Sequence, residues 1–453
     1  MAGALSKGRR WSTTGVRIES RPGRQIACPP RQHIRRTRRH SSNFDHNTFS
    51  FLSNDRLFPA LRKPMKRPAI ARPRVLFAIS SMETGGAERQ VATLLQHIDR
   101  QRIETLLYLR SRSGPYLANL PADLPIFVFS ERSEPPQLYW PGAIHRRQVS
   151  DLRAVLRDEK IDVLYERTCL QTLIGAAAAQ SVDCRRIAVM DSNPEKNLPL
   201  VAGRFVTLKR HLLRKAYRSA DLSISVSEGV RQAAMDYYDL PTSTFEVSEN
   251  HIDIADIDRL AAEPVPSALS DTTRKHLLVV GRLVAAKGFD TLLNAVSQLS
   301  TATRQTLCVH IVGDGPELPA LSAQAAELKL TMIHFHGHSD NPFAWMKGAD
   351  LLCLSSRYEG SPSVLIESMA CRLPIVSFDC RCGPRELLAD GRYGKLVRDG
   401  DASALAKGIE EVLSTPGDLL STQLEAARRH VETEYSLEAG ITRFEKLVER
   451  VLS

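Results

Sequence analysis

Hydrophobic and polar positions alternate regularly from Arg74 onward. Short apolar runs, each long enough for one buried strand, are separated by longer stretches whose apolar residues recur with a helical period. Buried parallel strands joined by crossover helices produce this rhythm, so the pattern predicts an α/β protein with doubly wound parallel sheets. The predicted strands cover residues 75–79, 105–109, 126–129, 163–165, 187–190, 222–226, 277–280, 307–312, 332–335, 351–354 and 375–378.

One interruption divides this rhythm. Residues 261–271 are polar, contain two prolines and show no sustained period, which is typical of a linker. The sequence therefore predicts two Rossmann-like domains, at residues 74–260 and 272–435, that face each other across a cleft. Residues 436–453 are predicted to form a C-terminal helix that can cross back to the first domain. Ligands of such domains bind at the carboxyl ends of the strands, so we expect the site in the cleft.

Charge is distributed unevenly along the chain. The 453 residues carry a formal net charge of +10, but residues 1–74 hold 18 Lys and Arg against 3 Asp and Glu, which leaves 43 against 48 for the remainder. We expect residues 1–73 to be a disordered basic extension. Three interpretations of it stay open: an overextended reading frame with its natural start at Met65, an organellar transit peptide, or a nucleic-acid-binding arm. Because the folded part is mildly acidic, no nucleic acid is expected as its partner.

Cysteine spacing and hydropathy bear on location. The eight cysteines include no C-x-x-C pair, so their spacing predicts neither a zinc site nor a disulfide framework, and Cys308 and Cys353 are expected to be reduced thiols within strands. No apolar window reaches the roughly 18 uninterrupted residues that a membrane span needs. The sequence therefore predicts a cytoplasmic protein, attached at most peripherally to the inner face of a membrane.

Two carboxylates flank the start of one predicted helix. Glu359 lies on the loop before it and Glu367 lies more than one turn inside it, with Ser361 as the predicted cap and Pro362 at the first helical position. A helix N-terminus offers free N–H groups and a positive dipole end, which suits a phosphate. Carboxylates repel a bound diphosphate, so we expect this pair to accept hydrogen bonds from sugar hydroxyls. The alternative is a capping acid and a surface acid.

Arg282 and Lys287 supply a second signal. Both follow the first predicted strand of the second domain, on the loop before the next helix. Arg offers a fork of donors and Lys a compact charge, so the two can clamp a diphosphate, whereas each alone is also typical of a solvated loop. Together with the helix N-terminus, they predict a site for a nucleotide-diphosphate-sugar.

An ordered series of motifs runs through the predicted domains. The series resembles the retaining glycosyltransferases of family 4, which have the GT-B fold, and among them the GGAER-type members that build polysaccharides and lipid-linked oligosaccharides. The resemblance extends over residues 74–430. Its motifs are Gly85-Gly86-Ala87-Glu88-Arg89, Gly281-Arg282, Lys287-Gly288-Phe289, Val312-Gly313-Asp314-Gly315-Pro316, Glu359-Gly360, Glu367-Ser368-Met369-Ala370 and Pro374-Ile375-Val376.

The resemblance implies an activity and roles for these residues. It implies transfer of a sugar from a nucleotide-sugar donor with retention of anomeric configuration, without an essential metal or other cofactor, with the acceptor in the first domain and the donor in the second. Glu359, Arg282 and Lys287 would be catalytic, the cations on the diphosphate and Glu359 on the transferred sugar. The other implied donor-binding residues are Gly85, Gly86, Gly337, His338, Ser361, Ser363, Val364 and, for the ribose hydroxyls, Glu367.

The acceptor is less well marked. Where many family members carry a first-domain histidine that faces the donor sugar, this chain reads Met190-Asp191-Ser192-Asn193-Pro194, which leaves the sugar open. The resemblance implies a glycan or a polyprenyl-linked acceptor in surface polysaccharide synthesis. The basic stretch 204–218 has Phe205, Leu208, Leu212, Leu213 and Ala216 on one helical face, which fits either contact with an anionic membrane or an ordinary domain helix with a solvated basic face.

Two other function classes stay open on sequence alone. A nucleotide-sugar 2-epimerase-like isomerase shares the two-domain architecture and holds a nucleotide diphosphate in the same cleft. It would change the nucleotide sugar without any acceptor. A non-catalytic binding protein, with the basic extension gripping nucleic acid, would show steeply salt-dependent binding that is lost without residues 1–64.

Overall fold

A computed structural model describes residues 72–134 and 142–453. Nearly all of the predicted basic extension, including the start proposed at Met65, lies outside the described residues. Thirteen strands are described. They are β1 (Arg74–Ile79), β2 (Glu104–Leu109), β3 (Ile126–Val128), β4 (Val163–Arg167), β5 (Arg185–Met190), β6 (Leu222–Ser225), β7 (Phe245–Val247), β8 (Lys275–Val280), β9 (Leu307–Val312), β10 (Ile333–Gly337), β11 (Leu351–Leu354), β12 (Ile375–Phe378) and β13 (Lys395–Val397).

The strands form two parallel sheets. The first has the order β3-β2-β1-β4-β5-β6-β7 and the second the order β10-β9-β8-β11-β12-β13. In each sheet the strand order reverses beside the first strand, at β1/β4 and at β8/β11. This reversal is the mark of a doubly wound sheet and the usual place of a ligand. The predicted fold class, α/β with two Rossmann-like parallel sheets, is confirmed.

Helices cover the faces of both sheets. They bury apolar side chains against the strands, and the described part of the chain has two large apolar cores around each sheet. The helices are α1 (Gly86–His97), α2 (Phe129–Arg132), α3 (Ala143–Asp158), α4 (Cys169–Ala178), α5 (Pro194–Ala202), α6 (Val206–Arg218), α7 (Glu228–Tyr238), α8 (Ile254–Ala261), α9 (Phe289–Ser297), α10 (Thr301–Thr306), α11 (Leu318–Glu327), α12 (Pro342–Gly348), α13 (Ser363–Ala370), α14 (Pro384–Leu387), α15 (Ala402–Leu413), α16 (Gly417–Glu434) and α17 (Leu437–Leu452).

The last helix joins the two halves of the chain. After α16 has packed on α13 of the second sheet, α17 places Phe444 against Phe77 and Tyr165, with ring centroids 5.3 Å from each. Phe444 is buried in the core of the first sheet. The chain therefore ends on the opposite domain from the one it has just completed.

Two local predictions about helix starts are wrong. Ser361 does not cap α13: the helix begins at Ser363, and Pro362, whose φ of −69° and ψ of 102° are extended, occupies the N-cap. Proline disfavours helical geometry in the residue before it, so Ser361 cannot take up the helix. The helical face predicted for residues 204–218 also does not include Phe205. Phe205 precedes α6 in a left-handed conformation, and both Phe205 and Leu208 are exposed.

Candidate active site

The N-terminus of α13 lies where both sheets end. Its first N–H groups, from Ser363 and Val364, have no acceptor within the helix and form the positive end of its dipole. Gly360, on the loop before this helix, touches the first domain. A Cβ at this position would overlap the backbone carbonyl of Asp191, and the Ser227 hydroxyl donates to the Gly360 carbonyl at 2.7 Å. Only glycine fits this close approach.

Lys287 and Glu359 form an ion pair beside that helix. The ammonium Nζ of Lys287 donates to Oε1 of Glu359 at 2.6 Å, and the Ser355 hydroxyl fixes the loop by donating to the Lys287 carbonyl at 2.9 Å. Gly288 follows in the left-handed region, with φ +63°, and a Cβ there would overlap the Ser355 carbonyl. The structure thus brings together two predicted site residues that are 72 positions apart in the chain.

Glu367 is paired across the cleft with Arg89. Its side chain is only 5% exposed and accepts from Nη1 of Arg89, which lies on α1 of the first domain. This carboxylate raises the pKa of Arg89. Arg89 also lies over the ring of Phe343, 5.7 Å from its centroid. Arg89 belongs to the GGAER motif, but sequence analysis assigned it no role.

Arg282 is available to an anion. Its side chain is exposed, and its guanidinium makes no hydrogen bond or ion pair with another residue of the described segments. Its charge acts on Glu88 of the first domain: burial raises the pKa of Glu88, Asp191 raises it further, and Arg167 and Arg282 partly oppose this shift. Binding of the donor diphosphate by Arg282 stays a prediction.

The glycine pair at the start of α1 is less constrained. Gly85 is the N-cap, with an extended φ of −135°, and a Cβ there would meet only the flexible carboxylate of Glu88. A Cβ on Gly86 would meet nothing within 4 Å. The fold itself therefore does not require glycine at position 86, and close approach of a ligand to this turn stays a prediction.

Gly337 and His338 lie at the carboxyl end of β10, which is an edge strand of the second sheet. Gly337 ends β10 with a φ of +70°, and its carbonyl accepts from the N–H of Gly313 at 2.7 Å. His338 is exposed, with Nε2 3.2 Å from Oδ1 of Asp340. β10 is separated from β8 by β9 alone, so these residues stand two strands from Arg282. A role beside the nucleotide base stays a prediction.

Further contacts between the domains were not predicted. Glu386 accepts from the backbone N–H groups of Glu228 and Gly229, at 2.6 and 2.7 Å, at the start of α7. Arg381 donates to Asp236 at 2.6 Å. These residues are far apart in the chain and belong to no recognised motif, unlike Gly360, Arg89 and Glu367, which lie within quoted motifs.

A cavity of about 310 Å³ also lies between the domains. It touches Ser361 but none of Arg282, Lys287, Glu359 and Glu367. Its wall includes Glu249, Glu386 and Glu434, whose charges would repel a diphosphate. This lining is unsuited to a diphosphate.

Two doubly wound domains with an anion-ready helix N-terminus, two cations and two carboxylates at their facing strand ends define a GT-B glycosyltransferase. The family model described as glycosyl transferases group 1 matches residues 264–430, and the model described as glycosyltransferase family 4 matches residues 84–256. The chain belongs to this family and is a glycosyltransferase that uses a nucleotide-sugar donor.

Named relatives cover most of the chain. It is 27% identical to N-acetylgalactosamine-N,N'-diacetylbacillosaminyl-diphospho-undecaprenol 4-alpha-N-acetylgalactosaminyltransferase of Campylobacter jejuni. The match extends over 337 residues, which are 74% of this chain and 88% of that enzyme. A second enzyme of that organism, GalNAc-alpha-(1->4)-GalNAc-alpha-(1->3)-diNAcBac-PP-undecaprenol alpha-1,4-N-acetyl-D-galactosaminyltransferase, is 25% identical over 75% of this chain and 89% of its own length. All three chains thus match over both domains.

Solved structures share the fold. Anabaena HepE in complex with UDP and glucose superposes with a TM-score of 0.67 at 20% identity, over 83% of this chain and 99% of that one. WaaG, a glycosyltransferase involved in lipopolysaccharide biosynthesis, superposes with a TM-score of 0.63 at 18% identity, over 83% and 99%. Both support the two-domain GT-B architecture.

Proposed function

We propose that this enzyme transfers a sugar, with retention of anomeric configuration, from a nucleotide-diphosphate-sugar to a polyprenyl-diphosphate-linked glycan. The observation that carries the proposal is the Lys287–Glu359 pair beside the open N-terminus of α13. The lipid-linked acceptor is supported by the two Campylobacter relatives, whose names specify undecaprenol-linked substrates. The donor base and sugar are left open.

Donor binding exchanges existing ion pairs for new ones. In the structure Lys287 neutralises Glu359, and Arg89 neutralises Glu367. We infer that the donor diphosphate takes Glu359's place on Lys287 and also binds Arg282 and the first N–H groups of α13. Glu359 then accepts from hydroxyls of the transferred sugar, and Glu367 from the ribose hydroxyls once Arg89 withdraws.

The chemical step needs no nucleophile from the enzyme. The bond between the anomeric carbon and the diphosphate oxygen breaks, and the acceptor oxygen bonds to that carbon on the same face. The acceptor proton passes to the departing phosphate oxygen, so the products are the glycosylated acceptor and a nucleoside diphosphate. Arg282, Lys287 and the dipole of α13 stabilise the negative charge that develops on the leaving group, which in this proposal takes the place of a metal ion.

The corner between α5 and α6 offers a membrane-facing surface. Leu200 is 70% exposed and Phe205 is 60% exposed, with Val201 and Leu208 exposed beside them. Arg204 is exposed at the same corner, whereas Arg214 is paired with Asp239 at 2.8 Å and the exposed Arg218 lies at the other end of α6. Exposed apolar side chains among cations suit the interface of an anionic bilayer. None of the helices in the described segments is long and apolar enough to cross a membrane.

The function is tested by acceptor-dependent turnover. The full chain is incubated with UDP-, GDP-, ADP- and dTDP-sugars, with and without an undecaprenyl-diphosphate-linked oligosaccharide. We expect nucleoside diphosphate release only when the acceptor is present, and an α-linked product from an α-linked donor by NMR. Conversion of the nucleotide sugar without acceptor would indicate an isomerase instead, and an inverted product would contradict retention.

Membrane contact is tested separately by vesicle co-sedimentation. We expect binding to vesicles that contain phosphatidylglycerol, weak binding to phosphatidylcholine alone, and loss of binding when Leu200 and Phe205 are both replaced by Ser. Leu419→Ser, an equally exposed leucine on α16, is the matched control. Equal binding by the double variant would exclude this corner as the contact.

A further inference from the structure

Five side chains of the types that bind metal ions lie on one face of the second sheet. His276 lies on β8, Cys308 and His310 on β9, and His334 and His336 on β10. The parallel register pairs His276 with Cys308 and His310 with His334. Residues two apart in a strand point to the same side, so the register brings the first four onto one face although their linear spacing resembles no metal motif. The register of β10 shifts after Phe335, but the ring of His336 still lies 5.2 Å from that of His310.

Three of these side chains converge. Nδ1 of His276 lies 3.0 Å from Nε2 of His310, and with Sγ of Cys308 these ligand atoms all lie within 4.8 Å of one another. All three residues are buried. Zinc takes nitrogen ligands at about 2.0–2.1 Å and thiolate sulfur at about 2.3 Å, so two ligand atoms of one ion lie no more than about 4.4 Å apart. The two histidine nitrogens already meet this limit, and a small shift of the Cys308 side chain would bring its sulfur within it.

The outward-facing ring nitrogens already have partners. Nε2 of His276 lies 3.0 Å from the Asp271 carbonyl, and Nδ1 of His310 lies 3.0 Å from Nε2 of His336. Ligating histidines in metal sites bind an acceptor in this way through the second nitrogen, which fixes the ring. Without metal, His336 donates to His310 and His310 to His276. With metal, His310 takes the other tautomer and donates to His336.

We propose that His276, Cys308 and His310 bind one Zn²⁺ ion, with water in the fourth position. On binding, the Cys308 thiol releases its proton to solvent and its sulfur becomes a thiolate ligand. Arg274, which donates from Nη1 to that sulfur at 3.3 Å and is 42% exposed, turns outward toward Asp271.

The site is distant from the transfer reaction. From His276 to Val280 at the end of β8 the strand rises about 13 Å, and Arg282 lies beyond that end. The ion therefore joins β8 to β9 at the amino-terminal edge of the sheet and contributes to the stability of the second domain, independently of the proposed transferase chemistry.

The experiment uses the full chain stripped of metal with a chelator and titrated with Co²⁺, then Zn²⁺ in competition. We expect one ion per chain and a near-ultraviolet thiolate-to-cobalt absorption band. Cys308→Ser should lose the band, and His310→Gln should weaken binding more than about tenfold. Cys371→Ser, a half-buried thiol on another element, should change neither. Stoichiometric binding without the band, or an unchanged band in Cys308→Ser, would overturn the site.

A second measurement on the unaltered chain covers the case in which a variant fails to fold. At free Zn²⁺ about 100-fold above its Kd, we expect the Tm to rise by about 5–10 °C. Absence of any rise, with no cobalt band, would also overturn the proposal.

Discussion

Two buried ion pairs of the same chemistry differ in how they are held. Within the first domain, Arg186 donates to both oxygens of Glu166, each at 2.8 Å, and its remaining nitrogen reaches the Ala216 carbonyl at 3.2 Å. Between the domains, Arg89 contacts Glu367 through a single nitrogen, and Arg89 is 30% exposed. In the first pair, every guanidinium nitrogen and both carboxylate oxygens have a hydrogen-bond partner. In the second pair, both side chains keep unused hydrogen-bonding capacity.

The difference separates a structural pair from an exchangeable one. Breaking a fully bonded buried pair leaves an uncompensated charge, so such a pair persists throughout the working cycle. A pair with one contact at a cleft can open when a ligand offers better partners. The same contrast applies to Lys287 and Glu359, which meet through one hydrogen bond at the donor site.

The largest expected effect is on stability, from Glu166→Ala. Arg186 would remain buried without its carboxylate, so we expect a loss of about 3–5 kcal/mol in the free energy of unfolding, measured by urea denaturation. The control is Glu131→Ala, which breaks an exposed pair with Arg112 and should leave the free energy of unfolding nearly unchanged. Equal losses in the two variants would contradict the distinction.

The second-largest expected effect is on catalysis, from Glu367→Ala. Loss of two charge-assisted hydrogen bonds to the ribose should lower kcat/KM by about 100-fold, in steady-state turnover with the best donor. The free energy of unfolding should change little, because the pair with Arg89 has one contact. Glu327→Ala, an exposed acid on the same domain, should leave turnover unchanged. A stable Glu367→Ala enzyme with full activity would remove Glu367 from the donor site.

A pH effect follows from His251, which lies between the domains and exchanges two backbone hydrogen bonds with the Gln90 side chain. Burial, together with nearby cations, lowers the pKa of His251 to about 3. Its stabilising contribution is complete above the unfolded pKa of about 6.5 and is lost as the pH falls toward 3. The charged neighbours are Arg167, Arg443, His97 and Arg89.

His251→Gln should therefore remove about 2 kcal/mol of the stability loss between pH 7.5 and pH 5. The measurement is the free energy of unfolding by urea at both pH values. His211→Gln, at an exposed position on α6, should keep the wild-type slope. An unchanged slope in His251→Gln would show that this imidazole titrates normally.

The smallest expected effect comes from Arg89→Ala. If Arg89 only holds Glu367 until the donor arrives, its removal should lower the donor KM by about fivefold, since one partly exposed pair is worth about 1 kcal/mol. Unchanged kcat is expected alongside. A raised KM with lower kcat would instead mean that Arg89 itself binds the donor.

Sequence patterns specified the sheets better than the contacts between them. Apolar runs located the central strands, while β7 and β13 were missed because each has three residues and carries a charged side chain, Glu246 and Lys395.

Contacts within the candidate site could be predicted only where the strand order brings the residues together. Lys287 and Glu359 follow β8 and β11, which are neighbours at the reversal of strand order, so their meeting follows from the fold class. Arg89 and Glu367 are 278 residues apart and meet only because the domains close. The histidines around His310 depend on strand register, which no spacing along the chain reveals.

The most direct test of the exchange of ion pairs is the affinity of the Glu359→Gln variant for nucleoside diphosphates. UDP, GDP, ADP and dTDP are titrated calorimetrically into wild type, Glu359→Gln and Lys287→Ala, with Lys407→Ala as an exposed control. Removing the acid frees Lys287 and removes a repulsive charge, so we expect the best diphosphate to bind about tenfold tighter to Glu359→Gln, and weaker to Lys287→Ala. Weaker binding to Glu359→Gln, or unchanged binding to Lys287→Ala, would contradict a donor site in which the diphosphate replaces Glu359 on Lys287.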